Sequence, residues 1–188
     1  MTGLDPEQDS LVEIAVVITD SELNVLDPGI DLVIKPRPES LAAMNEFVTK
    51  MHTESGLINE FDSGYDLVEA EQLVLEYIKK FVSAEKEAPL AGNTIGTDRM
   101  FINRYMPRVD QHLHYRNIDV SSIKELGRRW YPRVYFQLPK KSGGHRALAD
   151  ILESIKELRY YRETLFVPLP GPSSAEAQSA AERVSSRS

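Results

Sequence analysis

His145 and Asp150 end the stretch His145-Arg-Ala-Leu-Ala-Asp150, which follows a Gly143–Gly144 pair and leads into an amphipathic run over residues 151–161. A helix turns about 100° per residue, so side chains five positions apart diverge by about 140°. The two residues therefore converge only if His145 sits on the glycine loop and Asp150 lies inside the helix. A histidine on a loop beside a fixed carboxylate suits a general base working next to a metal ion. The plainer reading is a capped surface helix that carries no chemistry.

A second acid, Asp98, closes the stretch Gly92-Asn-Thr-Ile-Gly-Thr-Asp98. It follows an expected strand and a glycine turn, at the head of a helix. Sites of open α/β sheets form at the carboxyl ends of strands, where such turns lie. Hard divalent cations take several carboxylate oxygens. A pair of them stabilises both the attacking and the leaving oxygen in phosphodiester cleavage. Asp98 and Asp150 supply part of such a cage, and a complete one needs at least two more carboxylates. Against this stands the commonest work of an aspartate at a helix start, which is to cap it. Tyr115-Arg116 joins a stacking ring to a guanidinium fork that suits phosphate. Thr94 and Ser121 bring hydroxyls to helix starts, where backbone N–H groups favour anions. Phe47 and His52 lie on or beside one expected helix. Each has a structural alternative: core for Phe47, strand filler for Tyr115, a cap for Ser121.

The elements that must position these groups can be read from periodicity. Residues 11–20 are rich in β-branched side chains and predict a buried strand. Residues 23–26 and 30–34 predict two more, with turns at Asp20-Ser21 and Asp27-Pro28-Gly29, making an antiparallel meander that Pro36 and Pro38 end. Helices are expected over 41–51 and 67–82, the second capped by Asp66 and carrying Leu67, Ala70, Leu73, Val74, Tyr77, Ile78 and Phe81 at helical spacing. A short strand over 88–92 follows, then a helix from Thr97 or Asp98 to Met106, a strand over 115–119, and helices over 121–130 and 146–165. This order predicts a mixed α/β sandwich around a central sheet. There is no internal repeat. Residues 168–188 are rich in Pro, Ser and Ala and predict a disordered tail, leaving 1–167 as one domain.

A chain of 188 residues, 41% of them hydrophobic, can bury a core of its own. The lack of cysteine excludes a disulfide framework and thiolate zinc sites. No run is long enough to span a membrane and no signal segment opens the chain, so the cytoplasm is the default location. The net charge of −7 argues against a general nucleic-acid coat protein. The charge is uneven, however: from Arg104 to Arg146 there are ten Lys/Arg against Asp110, Asp119 and Glu125. A basic segment in an acidic protein favours a short anionic substrate over a long one. A chance excess on solvated faces explains the charge equally well.

Several segments together carry a resemblance. They are Met1-Thr-Gly-Leu-Asp-Pro6, Leu11-Val-Glu-Ile-Ala15, Ala91-Gly-Asn-Thr-Ile-Gly-Thr-Asp98, His114-Tyr-Arg-Asn-Ile-Asp-Val-Ser-Ser-Ile-Lys-Glu-Leu126, Arg129-Trp-Tyr-Pro132 and His145-Arg-Ala-Leu-Ala-Asp150. The chain from Met1 to about Val167 resembles the oligoribonuclease family, in its actinobacterial form. That family lies within the proofreading-exonuclease branch of the ribonuclease H-like fold. The resemblance implies a mixed sheet flanked by helices and a homodimeric 3′→5′ exoribonuclease. The enzyme would use Mg²⁺ or Mn²⁺ in a two-metal site and degrade very short single-stranded RNA, of two to five nucleotides, to mononucleotides. By matching motif, Asp98 and Asp150 correspond to metal ligands and His145 to the general base. Leu4 resembles the wedge between the two bases, Phe47 stands where the family often has Trp, and His52 lies near the scissile end. Thr94, Arg116 and Ser121 resemble the cap on the 5′ phosphate. Tyr115 would reach the site of the partner subunit.

The family also opens with a central strand ending Asp-x-Glu-Met-Thr-Gly-Leu, whose two acids are metal ligands, whereas this chain begins at that Met. The expectation is therefore a chain lacking its first central strand and two of four metal-binding carboxylates, with impaired activity and stability. Three readings follow: a two-metal exoribonuclease, a catalytically inactive module that binds short RNA or dinucleotides, or a related 3′→5′ DNA exonuclease. The His114-Tyr-Arg motif and the negative charge count against the last.

Overall fold

Residues 1–140 and 144–186 are described by a computed structural model of the chain. Near the N-terminus, β1 (Glu13–Val16) pairs antiparallel with β2 (Ile30–Val33), so that Glu13 faces Val33 and Val16 faces Ile30. The strand expected over 23–26 reduces to one isolated antiparallel bridge, Thr19 to Val25. There Asp20 takes the hydrogen bonds, accepting from the backbone N–H of Glu22 and of Asn24 and so curling the chain into a turn.

The antiparallel pairing ends before Pro36, as expected, and Pro38 then opens α1 (Pro38–Ala42). A proline at the first helical position loses only an N–H that has no helical partner. The helix expected over 41–51 is instead α1 followed by α2 (Glu46–Glu54). Asn45 separates them and caps the second by accepting from the Val48 N–H at 2.9 Å. A 3-10 helix (Leu57–Ser63) leads to α3 (Leu67–Phe81). Asp66 caps α3 through the Val68 N–H at 2.9 Å, and Lys79 and Lys80 lie in its last turn, where cations meet the negative end of the helix.

The second half begins with β3 (Pro89–Gly92), which leads into α4 (Ile95–Tyr105). Two proline-headed helices, α5 (Pro107–His112) and α7 (Pro132–Phe136), lie on either side of β4 (His114–Asp119) and α6 (Val120–Trp130). The long helix α8 (Ala147–Thr164) follows. β3 and β4 run parallel, with Gly92 beside Asp119. The turns that leave the two strands therefore start side by side.

The one central sheet expected from the sequence is present as two ladders, β1–β2 and β3–β4; among the described residues no strand hydrogen-bonds one to the other. An apolar core nevertheless serves both halves. Ile14 and Leu32 of the first ladder pack with Val74 and Ile78 of α3 and with Phe101 and Ile102 of α4. The tail departs from its expected disorder: Ser174–Ser185 form α9. Ser173 and Glu176 close a capping box at its start, and the alanine-rich sequence favours helix. None of its residues is buried.

Candidate active site

The parallel register of β3 and β4 brings Thr94 and Ser121 together. Their hydroxyl oxygens are 3.2 Å apart, although 27 residues separate them in sequence. Asp119, the last residue of β4, is the joint. One oxygen of its carboxylate accepts from the Ser121 N–H at 2.9 Å, capping α6, and from the Thr94 N–H at 3.0 Å. The Ser121 hydroxyl also accepts from the Thr94 N–H, at 2.9 Å. Thr94 adopts a left-handed backbone with φ of 54°. Such a conformation costs a non-glycine residue about 1–2 kcal/mol and persists only where neighbours fix it. The result is a notch at two helix starts, lined by two hydroxyls. Arg116 lies on the strand leading to Ser121, with its guanidinium carbon 5.3 Å from the centroid of the Tyr115 ring. Tyr115 is 72% exposed and stacks on His114.

Asp98 lies inside the first turn of α4, which begins three residues earlier. Position 94, not 98, is the N-cap, so the plain capping role for Asp98 falls away. Burial pushes its carboxyl above the ordinary range, and the positive charge that opposes this is the Met1 ammonium. That ammonium is itself buried, which pulls it below its ordinary range, with Glu13, Asp98 and Asp9 as the acids that hold it charged. His52 is buried: its Nε2 is 2.9 Å from the Met1 carbonyl and its ring meets Phe61 edge-on. Burial holds the imidazole below its ordinary range.

Leu4 and Phe47 are each 76% exposed, so Phe47 is not core. Leu4 projects from a turn that Asp9 organises. The Asp9 carboxylate accepts from the Thr2 hydroxyl and from the Asp5 N–H, both at 2.9 Å. A Cβ on Gly3 would fall 2.3 Å from that carboxylate, so the turn needs glycine there.

His145 precedes α8, is exposed and has φ of 48°, and Asp150 lies in the first turn of α8. The loop-then-helix arrangement is the one that their spacing required. Gly143, the first half of the expected glycine turn, lies outside the described residues. Between the two, Arg146 and Ala147 are tied to the first ladder. Glu13 of β1 accepts from Arg146 Nε and, at 2.8 Å, from the Ala147 N–H. Arg146 also donates to Glu60 at 2.8 Å. The foreign carboxylate Glu13 thus caps α8. Sequence reasoning had no signal for the roles of Asp9, Glu13, Asn93, Asp119 or Glu157. Their partners lie 7, 134, 64, 25 and 64 positions away, respectively.

A two-metal cage needs several converging carboxylates. Among the described residues no three His, Asp or Glu side chains converge in that way. The described residues do not fit such a cage. Also among them, no helix is long and apolar enough to cross a membrane.

The family model for exonucleases of the RNase_T type matches residues 1–158. The chain is 64% identical over 184 residues to the oligoribonuclease of Leifsonia xyli subsp. xyli, covering 98% of this chain and 89% of that protein. It is 60% identical over 182 residues to the oligoribonuclease of Mycobacterium avium, covering 96% and 85%. With the oligoribonuclease of Streptomyces coelicolor it shares 55% identity over 183 residues, covering 97% and 92%.

Proposed function

The chain belongs to the exonuclease family and, within it, to the oligoribonucleases, 3′→5′ exoribonucleases of ribonuclease H-like fold; on that premise we propose that it acts on RNA of two to five nucleotides and holds the 5′ end in the Thr94–Ser121 notch. The observation that carries this reading is the 3.2 Å approach of the two hydroxyls at paired helix starts. Helix N-termini favour phosphate, and hydroxyls there add donors. Arg116, on the adjoining strand, can swing from the Tyr115 ring to supply a charged fork. A 5′ end held at the Thr94–Ser121 pair would select short substrates over longer strands.

Leu4, exposed at its turn, inserts between the two bases, and Phe47 offers a ring to stack on one of them. His145, on the loop before α8, takes the proton of the attacking water. Hydrolysis then breaks the 3′-terminal phosphodiester and releases a nucleoside 5′-monophosphate. Enzymes of this type use divalent metal ions, here Mg²⁺ or Mn²⁺, and Asp98 and Asp150 are the acids offered to them. Because the described acids do not complete a two-metal cage, the 188-residue chain turns over slowly and retains short-RNA binding. A second copy of the chain is the expected partner. Exposed Tyr115 and Trp130 are the aromatic groups that such an interface would cover, and Tyr115 reaches toward the neighbouring site. The cytoplasm is the expected location.

The test is binding and cleavage of 5′-labelled di-ribonucleotide, of a 24-nucleotide RNA and of the deoxy dinucleotide. Tight binding of the di-ribonucleotide, weak binding of the other two, and slow release of mononucleotide in Mn²⁺ are expected. Equal binding of the long RNA would overturn the short-substrate reading, and equal cleavage of the deoxy form would point to a DNA exonuclease.

A further inference from the structure

Glu157 is a buried carboxylate that the proposed chemistry leaves unused. It sits on α8 with its side chain 4% exposed. One oxygen accepts from Asn93 Nδ2 at 3.0 Å. The other accepts from the Tyr161 hydroxyl at 3.0 Å and pairs with Lys124 Nζ at 3.3 Å. Tyr161 has no exposed surface, and burial beside Glu157 raises its hydroxyl well above the ordinary range, so it stays a donor.

The placement of these partners is what matters. Asn93 immediately precedes Thr94, the strained half of the notch. Lys124 lies one helical turn beyond Ser121, the other half. A buried ion pair is a poor way to stabilise a fold, since well-packed apolar groups in the same space serve as well or better. What it supplies is geometry, because both partners must hold their positions to keep the charge satisfied. We propose that Glu157 is a positioning residue that locks the Thr94 and Ser121 halves of the notch together through Asn93 and Lys124, and so sets the preference for a 5′-phosphorylated over a 5′-hydroxyl short RNA.

This rests on the notch reading above, and the two separate cleanly by experiment. The full chain is titrated in EDTA with 5′-phosphorylated and 5′-hydroxyl di-ribonucleotide, and the ratio of the two affinities is the readout. Wild type is expected to prefer the phosphorylated form, and the T94A/S121A double variant to lose that preference. If either fails, the notch reading falls and takes the Glu157 role with it. Given both, E157Q is expected to reduce the preference about tenfold, the effect of one lost charge-assisted contact. K124M is expected to do the same and K124R to restore it. Lys124 is one-third exposed, so those variants remain informative if E157Q fails to fold. A preference unchanged within twofold in folded E157Q or in K124M overturns the inference, because a merely structural role lowers stability and leaves the ratio alone. A preference that rises in E157Q also overturns it, since Lys124 would then be contacting the phosphate directly.

Discussion

Replacing Arg146 by Met tests whether the α8 start is held by charge. The Glu13 side chain is only 6% exposed, and its two partners are Arg146 and the Ala147 N–H. In R146M the carboxylate keeps the N–H and loses its paired guanidinium, with the Met1 ammonium left as a nearby positive charge. Removing one partner of a fully buried pair costs about 3–5 kcal/mol, because the remaining charge stays desolvated. Here the Arg146 side chain is 30% exposed, so water reaches the vacated position and the cost falls to about 2 kcal/mol. Glu60 is 44% exposed, and E60Q should cost no more than about 0.5 kcal/mol. In a chain of this size about 2 kcal/mol lowers Tm by about 4–8 °C. Urea unfolding followed by far-UV circular dichroism measures these values, with E13Q/R146M completing a double-mutant cycle. A coupling of about 1–2 kcal/mol between positions 13 and 146 is expected. If R146M unfolds within about 0.5 kcal/mol of wild type, or E60Q costs as much as R146M, the pairing does not secure the helix start and the reasoning fails.

His145→Ala should abolish release of mononucleotide in Mn²⁺ while leaving di-ribonucleotide affinity in EDTA within about twofold; retained turnover would remove His145 from the base role. Gly3→Ala pushes a methyl into the Asp9 carboxylate and displaces Leu4, so di-ribonucleotide binding should weaken about tenfold while Tm changes little, as seen by titration beside a thermal melt. Burial lowers the folded-state pKa of His52 below 6.5, so the unfolded chain takes up the proton first as pH falls. The stability it lends is complete above 6.5 and drains away below it. The gap in unfolding free energy between wild type and H52Q should therefore narrow from pH 7.5 to 5.5, and a constant gap would show that the ring does not titrate in folding.

Local signals were legible where neighbours in sequence decide structure. Asp66 caps α3, and the apolar spacing behind it puts Ala70, Val74, Tyr77 and Ile78 inside. The same holds for the chemistry-bearing types: His145 ahead of a helix, Asp150 within it, and the hydroxyls of Thr94 and Ser121 at helix starts. An error arose where a polar side chain overrides the strand pattern: the 23–26 segment loses its strand to the turn that Asp20 organises. What could not be read were partners supplied from afar. Nothing near Ala147 says that its N–H will be capped by Glu13, and nothing near Asn93 points to Glu157.

Those distant partners share a structural task. The two ladders have no hydrogen bond between strands to hold them in register among the described residues. The apolar core presses the halves together, but packing is non-directional and tolerates sliding. α8 supplies direction at two points along its length. Its first turn is pinned to β1 through Glu13, and Glu157, ten residues beyond Ala147, is pinned to the turn after β3 through Asn93. Two fixed points on one rigid helix define the placement of one ladder against the other. The same helix carries Asp150 and follows His145, so the groups proposed for chemistry and the notch proposed for the 5′ end are referenced to a single element. Weakening both pins at once, in an E13Q/E157Q variant, should therefore do more harm than the sum of the single changes to di-ribonucleotide binding. Additive losses in a titration of the four proteins would show instead that the core alone sets the alignment.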